Sequence, residues 1–168
     1  QISTNMYYMA YTDQLILTGN LDEVGNPIRS NSEKSYRLGL EVEAQFMLSN
    51  TISIRPNFTI SQNKNVDLKV DATRIGTKDI AYSPACVASN MLIIKPFKGL
   101  QLSVLSKFVS EQYLNNIELP EAKLADYFVN DLNAVYEIKT NSVFHSITIS
   151  GLLNNFLNKK YVSNGYMW

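Results

Sequence analysis

Two glutamates two positions apart, Glu41 and Glu43, are the pair of residues in this sequence best spaced for chemistry. In an extended strand their side chains would share a face about 7 Å apart. Two carboxyl groups at that separation can divide acid and base roles at a scissile bond, or hold a cation. The other interpretation is that both are polar wall residues of a wet interior, balanced by cations such as Arg37 and Arg55 on the same or a neighbouring strand.

The other residue types of catalytic and metal sites are too few or wrongly placed. The chain has one histidine, His145, and one cysteine, Cys86, so it can form neither an internal disulfide nor a Cys/His zinc site. Cys86 stands between Ala85 and Val87 and suits a small apolar strand position. No G-x-S-x-G nucleophile elbow occurs. We therefore predict that the chain is not an enzyme and uses no cofactor or metal.

Composition excludes further classes of protein. Fifteen basic and 15 acidic side chains give no net charge, so nothing draws the chain to nucleic acid. The longest aliphatic run, residues 91–94, is far shorter than the roughly 20 residues that a membrane-spanning helix needs. Ten Tyr and seven Phe give too much aromatic surface for a disordered, solvated chain. No signal peptide opens the sequence, so we expect it to begin after one or inside a longer protein.

Strict period-two alternation identifies the strands that would position the glutamates. Residues 36–48 and 52–61 each place apolar side chains on one face and polar side chains on the other, and only Ser49-Asn50-Thr51 separates them, which predicts a hairpin. The predicted apolar face carries Leu38, Leu40, Val42, Phe46, Ile54 and Phe58. The predicted polar face carries Arg37, Glu41, Glu43, Gln45, Arg55 and Asn57.

Weaker alternation predicts five more strands, at about residues 6–17, 85–95, 100–110, 128–139 and 143–156. Strands of about 11 to 13 residues are long for a soluble sheet and suit a tilted membrane crossing. Short turns at residues 49–51, 96–99 and 140–142 alternate with long polar loops at residues 19–35, 63–81 and 111–125. This alternation is typical of outer-membrane barrels. We predict an all-β antiparallel up-and-down meander of about seven strands that does not close by itself.

Several short motifs in the C-terminal third carry a family resemblance. They are Asp126-Tyr127-Phe128-Val129-Asn130-Asp131-Leu132, the NN-x-x-NKKY element and Ser163-Asn164-Gly165-Tyr166. Segments nearer the N-terminus, among them Lys34-Ser35-Tyr36-Arg37-x-Gly39-x-Glu41, are similar to the same family and occur in the same order as in its members. Together they resemble the C-terminal part of TonB-dependent outer-membrane receptors. The motif residues are Asn154, Asn155, Asn158, Lys159, Lys160, Tyr161, Asn164, Gly165 and Tyr166.

The resemblance implies a barrel of about 22 strands, closed by an N-terminal plug domain and importing a scarce nutrient with energy from TonB. Residues 1–168 would be its C-terminal part, without the plug and the final strand. Leu38, Leu40, Val42, Phe46, Ile54 and Phe58 would then face lipid, and the six polar-face residues would face the lumen. The implied partners are outer-membrane lipid, the rest of the barrel and plug, TonB through the plug, and an unidentified small nutrient.

Two questions stay open at the level of sequence. The cargo could be an iron chelate or haem, or alternatively an oligosaccharide or a peptide. A soluble β-sandwich or a small complete barrel that binds a partner through its loops is the competing architecture. Lys159 and Lys160 could contact an anionic ligand or lipopolysaccharide phosphates, although a solvated strand end also suits them.

Overall fold

The computed structural model describes residues 1–70, 73–140 and 144–165, with the side chains of residues 19–21 left out. Most of this part is β-strand, and a 3-10 helix spans Pro120–Ala122. No helix formed by the described residues is long and apolar enough to cross a bilayer. The strands are β1 Ile2–Leu21, β2 Pro27–Ala44, β3 Phe46–Met47, β4 Ile52–Val70, β5 Thr73–Asp79, β6 Cys86–Ile94, β7 Leu100–Val109, β8 Gln112–Tyr113, β9 Lys123–Leu124, β10 Tyr127–Lys139 and β11 Ser146–Leu153.

Seven strands form one antiparallel meander in the order β1-β2-β4-β6-β7-β10-β11. β3 and β5 each pair with β4, and β8 pairs with β9 in a separate two-stranded ribbon. Within the described ranges β1 and β11 form the two edges of the sheet and do not pair with each other. The predicted all-β meander is therefore confirmed, as is the expectation that these strands do not close into a barrel alone.

The pairing register keeps each face of the sheet continuous, because directly opposed residues of antiparallel strands point the same way. Leu40 lies opposite Met6 on one side and Ile60 on the other. Farther along, Ala88 lies opposite Phe108, and Phe108 lies opposite Phe128. One set of alternate residues therefore runs along a single face from β1 to β10.

The predictions of long loops at residues 19–35 and 63–81 are wrong. β1 and β2 continue to a tight turn at residues 22–26, and β4 continues to Val70 before pairing with β5. In β1 and β2 these extensions are mostly polar on both faces and lack the alternation that reveals a strand, whereas the β4 extension retains it, because Val66, Leu68 and Val70 alternate with Asp67 and Lys69. Their backbone N–H and C=O groups nevertheless form hydrogen bonds with the neighbouring strand, and this pairing is enough to extend the sheet.

Smaller differences concern strand ends. The strand predicted for residues 36–48 ends at Ala44 and resumes as β3, and the strand predicted for residues 143–156 is shorter, spanning Ser146–Leu153. The third long loop, residues 111–125, is confirmed apart from β8, β9 and the 3-10 helix. Residues 141 and 142 of the predicted third short turn lie outside the described residues.

Candidate functional site: the polar face of the sheet

The six predicted polar-face residues lie on one face of the sheet, called the polar face below. Glu43 lies opposite Asn57, and Glu41 opposite Thr59. Surface depressions open on this face: one is lined by Glu43, Gln45, Arg55 and Asn57, and another by Arg37 and Glu41. The structure thus groups these residues as the alternation predicts, whereas their exposure to a barrel lumen stays a prediction.

Each of the paired glutamates is hydrogen-bonded to an amide on a different neighbouring strand. Asn5 on β1 donates to Glu41 Oε2 at 3.1 Å. Asn57 on β4 donates to Glu43 Oε1 at 3.0 Å. The two carboxylates are therefore held apart as members of separate cross-strand pairs. This arrangement favours the wall-residue interpretation over shared acid and base chemistry.

Arg37 joins β2 to β4 and to the connection that follows β5. Its guanidinium donates to Asn63 Oδ1 at 3.3 Å and to Ser83 Oγ at 3.2 Å. Asn63 in turn donates to Ser61 Oγ at 2.9 Å. The sequence predicted Arg37 as a counter-charge to the glutamates, but its hydrogen-bond partners are neutral side chains. Its role in the structure is to bridge three segments of the polar face.

Gly39 is the position where the polar face admits no side chain. The ring of Tyr7, on the adjacent strand, covers it, and an added Cβ would lie 2.5 Å from Tyr7 Cζ. Such a distance is not sterically possible without movement of the ring. An aromatic side chain laid over a cross-strand glycine is a known way to fix register and to shield a strand that lacks a side chain.

The six predicted apolar-face residues share the opposite face, called the apolar face below. Val42 lies opposite Phe58, and Phe46 opposite Ile54. Leu38 and Leu40 are 41% and 40% exposed. Many other large apolar side chains are exposed on this face, including Met6, Tyr8, Ile60, Phe128, Ile149 and Leu153. A contiguous exposed apolar surface of this extent marks a membrane or protein contact rather than a water-facing surface.

The NN-x-x-NKKY element forms a tight turn directly after β11. Asn155 and Asn158 have φ of 47° and 51°, the left-handed region that asparagine tolerates better than most residues. Asn155 donates its backbone N–H to Asp131 Oδ1 at 2.6 Å, and its side chain both accepts from Lys159 N and donates to Lys159 O. The two asparagines therefore have a conformational role. Sequence reasoning identified the motif but not this role.

Residues 158–165, called the strap below, cross the loop end of the polar face. Tyr161 stacks on Tyr127 with ring centroids 4.5 Å apart. Gly165 lies against Leu114, and its carbonyl oxygen accepts a hydrogen bond from Tyr82 Oη at 3.0 Å. The remaining motif residues take other positions: Asn154, Lys159 and Lys160 are exposed, Asn164 Oδ1 accepts from the Gly165 N–H, and Tyr166 lies outside the described residues.

The loop between β7 and β10 also folds over the sheet, anchored by buried amides. Asn116 donates to the carbonyl oxygen of Leu17 in β1 at 2.8 Å. Its Oδ1 accepts from Asn65 Nδ2 at 3.1 Å and from the Ala81 N–H at 2.9 Å. Asn65 and Asn116 were missed by sequence reasoning. Nothing local in the sequence distinguishes these residues from exposed loop asparagines.

Glu118 in the same loop is fixed by a charged contact. Its Oε1 accepts from the Asp79 N–H at 2.6 Å, and its Oε2 lies 3.2 Å from Lys78 Nζ. Partial burial opposes ionisation, but the hydrogen bonds from the Asp79 amide and the Lys78 ammonium outweigh it and lower the pKa of Glu118. The charged form of Glu118 therefore helps to hold the loop on β5.

The described residues do not bring together the side chains of a metal site. Among them no three His, Cys, Asp or Glu side chains gather as a metal site would require. Cys86 is free and opens β6, and His145 is exposed just before β11. What the polar face offers instead is a wall of amides, carboxylates, guanidinium groups and tyrosines, suited to reversible contact with a polar solute.

Comparison with solved structures identifies the same fold. The siderophore receptor PiuA from Acinetobacter baumannii superposes with a TM-score of 0.73 at 12% identity, over 98% of this chain and 23% of that one. The ferric yersiniabactin uptake receptor FyuA from Yersinia pestis superposes with a TM-score of 0.69 at 16% identity, over 99% of this chain and 24% of that one. The copper transporter OprC superposes with a TM-score of 0.69 at 17% identity, over 96% of this chain and 23% of that one.

These solved structures are TonB-dependent receptors, and the chain has the fold of a segment of their barrels. The resemblance noted in the sequence is thus confirmed at the level of fold. The chain spans about a quarter of the length of the solved structures that it matches, 23% for PiuA. No family model and no curated protein matches the sequence.

Proposed function

We propose that this chain is part of the barrel wall of an outer-membrane receptor that imports an iron chelate with energy relayed by TonB. On this proposal residues 1–168 are a C-terminal portion of the barrel, and a plug domain, the remaining strands and the TonB-contacting segment belong to other parts of the receptor. The receptor itself is a transporter and not an enzyme, and its likeness in fold to siderophore receptors supports this.

One observation carries the proposal: the two faces of a single open sheet differ in chemistry. Leu38 and Leu40 are exposed on the apolar face, while Glu41 and Arg37 are hydrogen-bonded on the polar face. A soluble sandwich would cover its apolar face with a second sheet. In a large barrel the same face meets lipid, and the polar face lines a wet interior.

The connections assign the two ends of the sheet. Turns at residues 48–51 and 95–99 are short, whereas the opposite end carries the extended β1-β2 and β4-β5 hairpins, the loop at residues 110–126 and the strap. Outer-membrane barrels keep short turns on the periplasmic side and long connections outside. The amide-anchored loop and the strap would therefore lie at the outer opening, where a nutrient first meets the receptor.

Growth on defined iron sources tests the cargo. A strain that lacks the intact receptor should lose growth under iron limitation on at least one ferric chelate, and the intact gene should restore it. Haem, copper, an oligosaccharide and a peptide serve as alternative nutrients in the same assay. A deletion with no iron-dependent phenotype, or one rescued only by a non-iron nutrient, would show that the cargo proposal is wrong.

Membrane extraction tests the location separately from the cargo. The intact receptor should fractionate with outer membranes, stay monodisperse only in detergent, and migrate faster on gels before heating than after. A protein that is monodisperse in buffer without detergent would instead support the soluble binding module.

A further inference from the structure

Asn164 and Gly165, near the end of the strap, form the only Asn-Gly pair in the sequence. An asparagine that precedes glycine is the one whose side-chain amide is most readily attacked by the next backbone nitrogen. The reason is steric, because glycine has no Cβ to obstruct the approach of its nitrogen to the asparagine Cγ. Membership of the family motif gives neither residue a chemical role, so this reactivity is a separate property.

The geometry of the pair brings the two reacting groups together. The Gly165 N–H donates to Oδ1 of Asn164 at 2.9 Å. Because Oδ1 is bonded to Cγ, this contact also holds Cγ near the Gly165 nitrogen. Asn164 is exposed, so water reaches its side chain. Holding a nucleophile beside its electrophile lowers the entropic part of the barrier to reaction.

The asparagines of the motif turn are held in a different way. Asn154, Asn155 and Asn158 each precede a residue that has a Cβ. The N–H groups that follow these three donate to Asp131 Oδ1, the Asn130 carbonyl oxygen and Asn155 Oδ1, respectively. Each of these nitrogens is therefore directed away from the side chain that precedes it. Asn164 differs from them both in the residue that follows it and in its hydrogen bonding.

We propose that Asn164 is a site of spontaneous conversion to isoaspartate and aspartate through a cyclic succinimide formed with Gly165. The Gly165 nitrogen bonds to Asn164 Cγ, its proton passes to Nδ2, and the Cγ–Nδ2 bond breaks and releases ammonia. Water then opens the ring. Attack of water at Cγ leaves an aspartate side chain on the original backbone, whereas attack at the main-chain carbonyl leaves isoaspartate, with the backbone routed through Cγ. Water is the sole co-reactant, and the inference goes beyond the proposed function without depending on it.

Conversion acts on the contacts that hold the end of the strap. The Gly165 carbonyl oxygen accepts a hydrogen bond from Tyr82 Oη at 3.0 Å, and Gly165 lies against Leu114. Isoaspartate inserts an additional carbon atom into the backbone immediately before Gly165, which displaces this carbonyl from Tyr82. It also introduces a carboxylate at a neutral position. We therefore expect the isoaspartate form to hold the strap less firmly than the parent does.

The first test follows the purified, folded protein during incubation in mildly alkaline buffer, with mass spectrometry of its peptides. The peptide that contains Asn164 should gain the mass difference between an amide and a carboxyl group and resolve into aspartate and isoaspartate forms. Conversion should be about 10-fold or more faster at Asn164 than at Asn50, an exposed internal reference whose following N–H, on Thr51, donates to Ser49 Oγ. It should also accelerate as pH rises, because the deprotonated nitrogen is the nucleophile.

G165A is the matched control for the ring-forming step. Gly165 does not have a positive φ, and an added Cβ would lie 3.3 Å from Leu114 Cδ1, the end of a flexible side chain, so alanine fits with a small shift. Its Cβ obstructs the nitrogen, and conversion should slow about 10-fold or more. N164Q should convert still more slowly, because its ring needs an additional atom. Conversion of G165A at the parent rate, aspartate without isoaspartate, or an Asn164 no faster than Asn50 would each overturn the proposal.

The second test measures the hold on the strap by limited trypsin cleavage after Lys159 and Lys160, which are both exposed. Loss of one hydrogen bond raises the population of the open form by roughly 2- to 10-fold, so the isoaspartate form should be cleaved faster by that factor. Y82F, which removes the donor to Gly165, should be cleaved about as fast as the isoaspartate form.

N164D separates the charge from the longer backbone, because it adds the carboxylate without the additional carbon atom. Its cleavage rate should stay within about twofold of the parent rate. Cleavage of N164D as fast as the isoaspartate form would attribute the release to charge, contrary to the proposal. Cleavage of the isoaspartate form at the parent rate would overturn the effect on the strap.

Discussion

The polar face has a different composition in the two halves of the sheet, β1-β2-β4 and β6-β7-β10. In β1, β2 and β4 that face carries Asn5, Arg37, Glu41, Glu43 and Asn57, linked by cross-strand hydrogen bonds. In β6, β7 and β10 the same face is mixed: Val87, Met91, Ile93, Leu105, Val109, Val129 and Val135 are interspersed with Ser89, Gln101, Ser103, Lys107, Asp131, Asn133 and Glu137. The apolar face also remains largely apolar in this second half.

The difference shows what alternation in a strand reports. Where water wets one face, a strand must alternate, and the pattern is visible in the sequence. Where both faces are covered, apolar residues are favoured on both and the alternation fades. At the loop end of β10 the cover is visible, because the strap places Tyr161 on Tyr127. Val109, Tyr127 and Val129 are buried at that end of the polar face, which weakens the alternation there.

The largest expected loss of stability comes from placing a charge on the apolar face of the first half of the sheet. Leu40→Arg places a cation on the apolar face in the middle of β2 and should cost roughly 2 to 4 kcal/mol in the intact receptor, if that face meets lipid. Glu41→Gln, one residue along, should leave folding almost unchanged, because the amide can still accept the hydrogen bond from Asn5. Heat-modifiable migration after outer-membrane extraction compares the two variants.

A reversed result would change the assignment of the faces. If Leu40→Arg inserts as well as the parent while Glu41→Gln does not, the apolar face is the wet one. A cation at Leu40 that is tolerated together with an unaffected Glu41→Gln would contradict the membrane location itself.

A smaller loss of stability is expected at Gly39, where the Tyr7 ring covers the polar face of the first half of the sheet. Gly39→Val must displace the Tyr7 ring and should cost about 1 to 3 kcal/mol, the usual range for overpacking. Adding Tyr7→Ser should recover part of the loss, because it removes the clashing ring. Denaturant midpoints of the single and double variants measure this. Equal stability of Gly39→Val and the parent would show that the ring moves aside freely.

The smallest effect concerns how the loop over the polar face responds to pH. The folded-state pKa of Glu118 is below its ordinary value, so its contribution is fully present above the unfolded pKa of about 4.5 and is lost as pH falls through the folded pKa. The protection of the Asp79 amide from hydrogen exchange, taken relative to its intrinsic exchange rate at each pH, should fall on acidification through this window. Glu118→Gln should remove that pH dependence, whereas Glu121→Gln, on the exposed 3-10 helix, should preserve it.

Sequence reasoning succeeded where the alternation along one strand was enough to assign each side chain to a face of the sheet. The grouping of Leu40 with Leu38 and of Glu41 with Arg37 followed from the two-residue period of a strand, because that period is fixed by backbone geometry. The extensions of β1 and β2 were not predicted, since polar side chains on both faces resemble a loop when the backbone pairing is unseen. The β4 extension was not predicted either, although Val66, Leu68 and Val70 alternate there with polar residues. The cargo contacts remain predictions, because they would join residues far apart in the chain.

The sequence by itself determined the strand meander, its two unlike faces and the motif that ends it, because each depends on near neighbours and on the fixed alternation of side chains. Only the tertiary structure decided which polar residues become buried anchors. Asn116 reaches Leu17 across 99 positions of sequence. Tyr161 stacks on Tyr127 because a turn at Asn155 and Asn158 folds the chain back over β10. Contacts of this kind arise from register and turn geometry summed over several strands, which no local pattern of residues encodes.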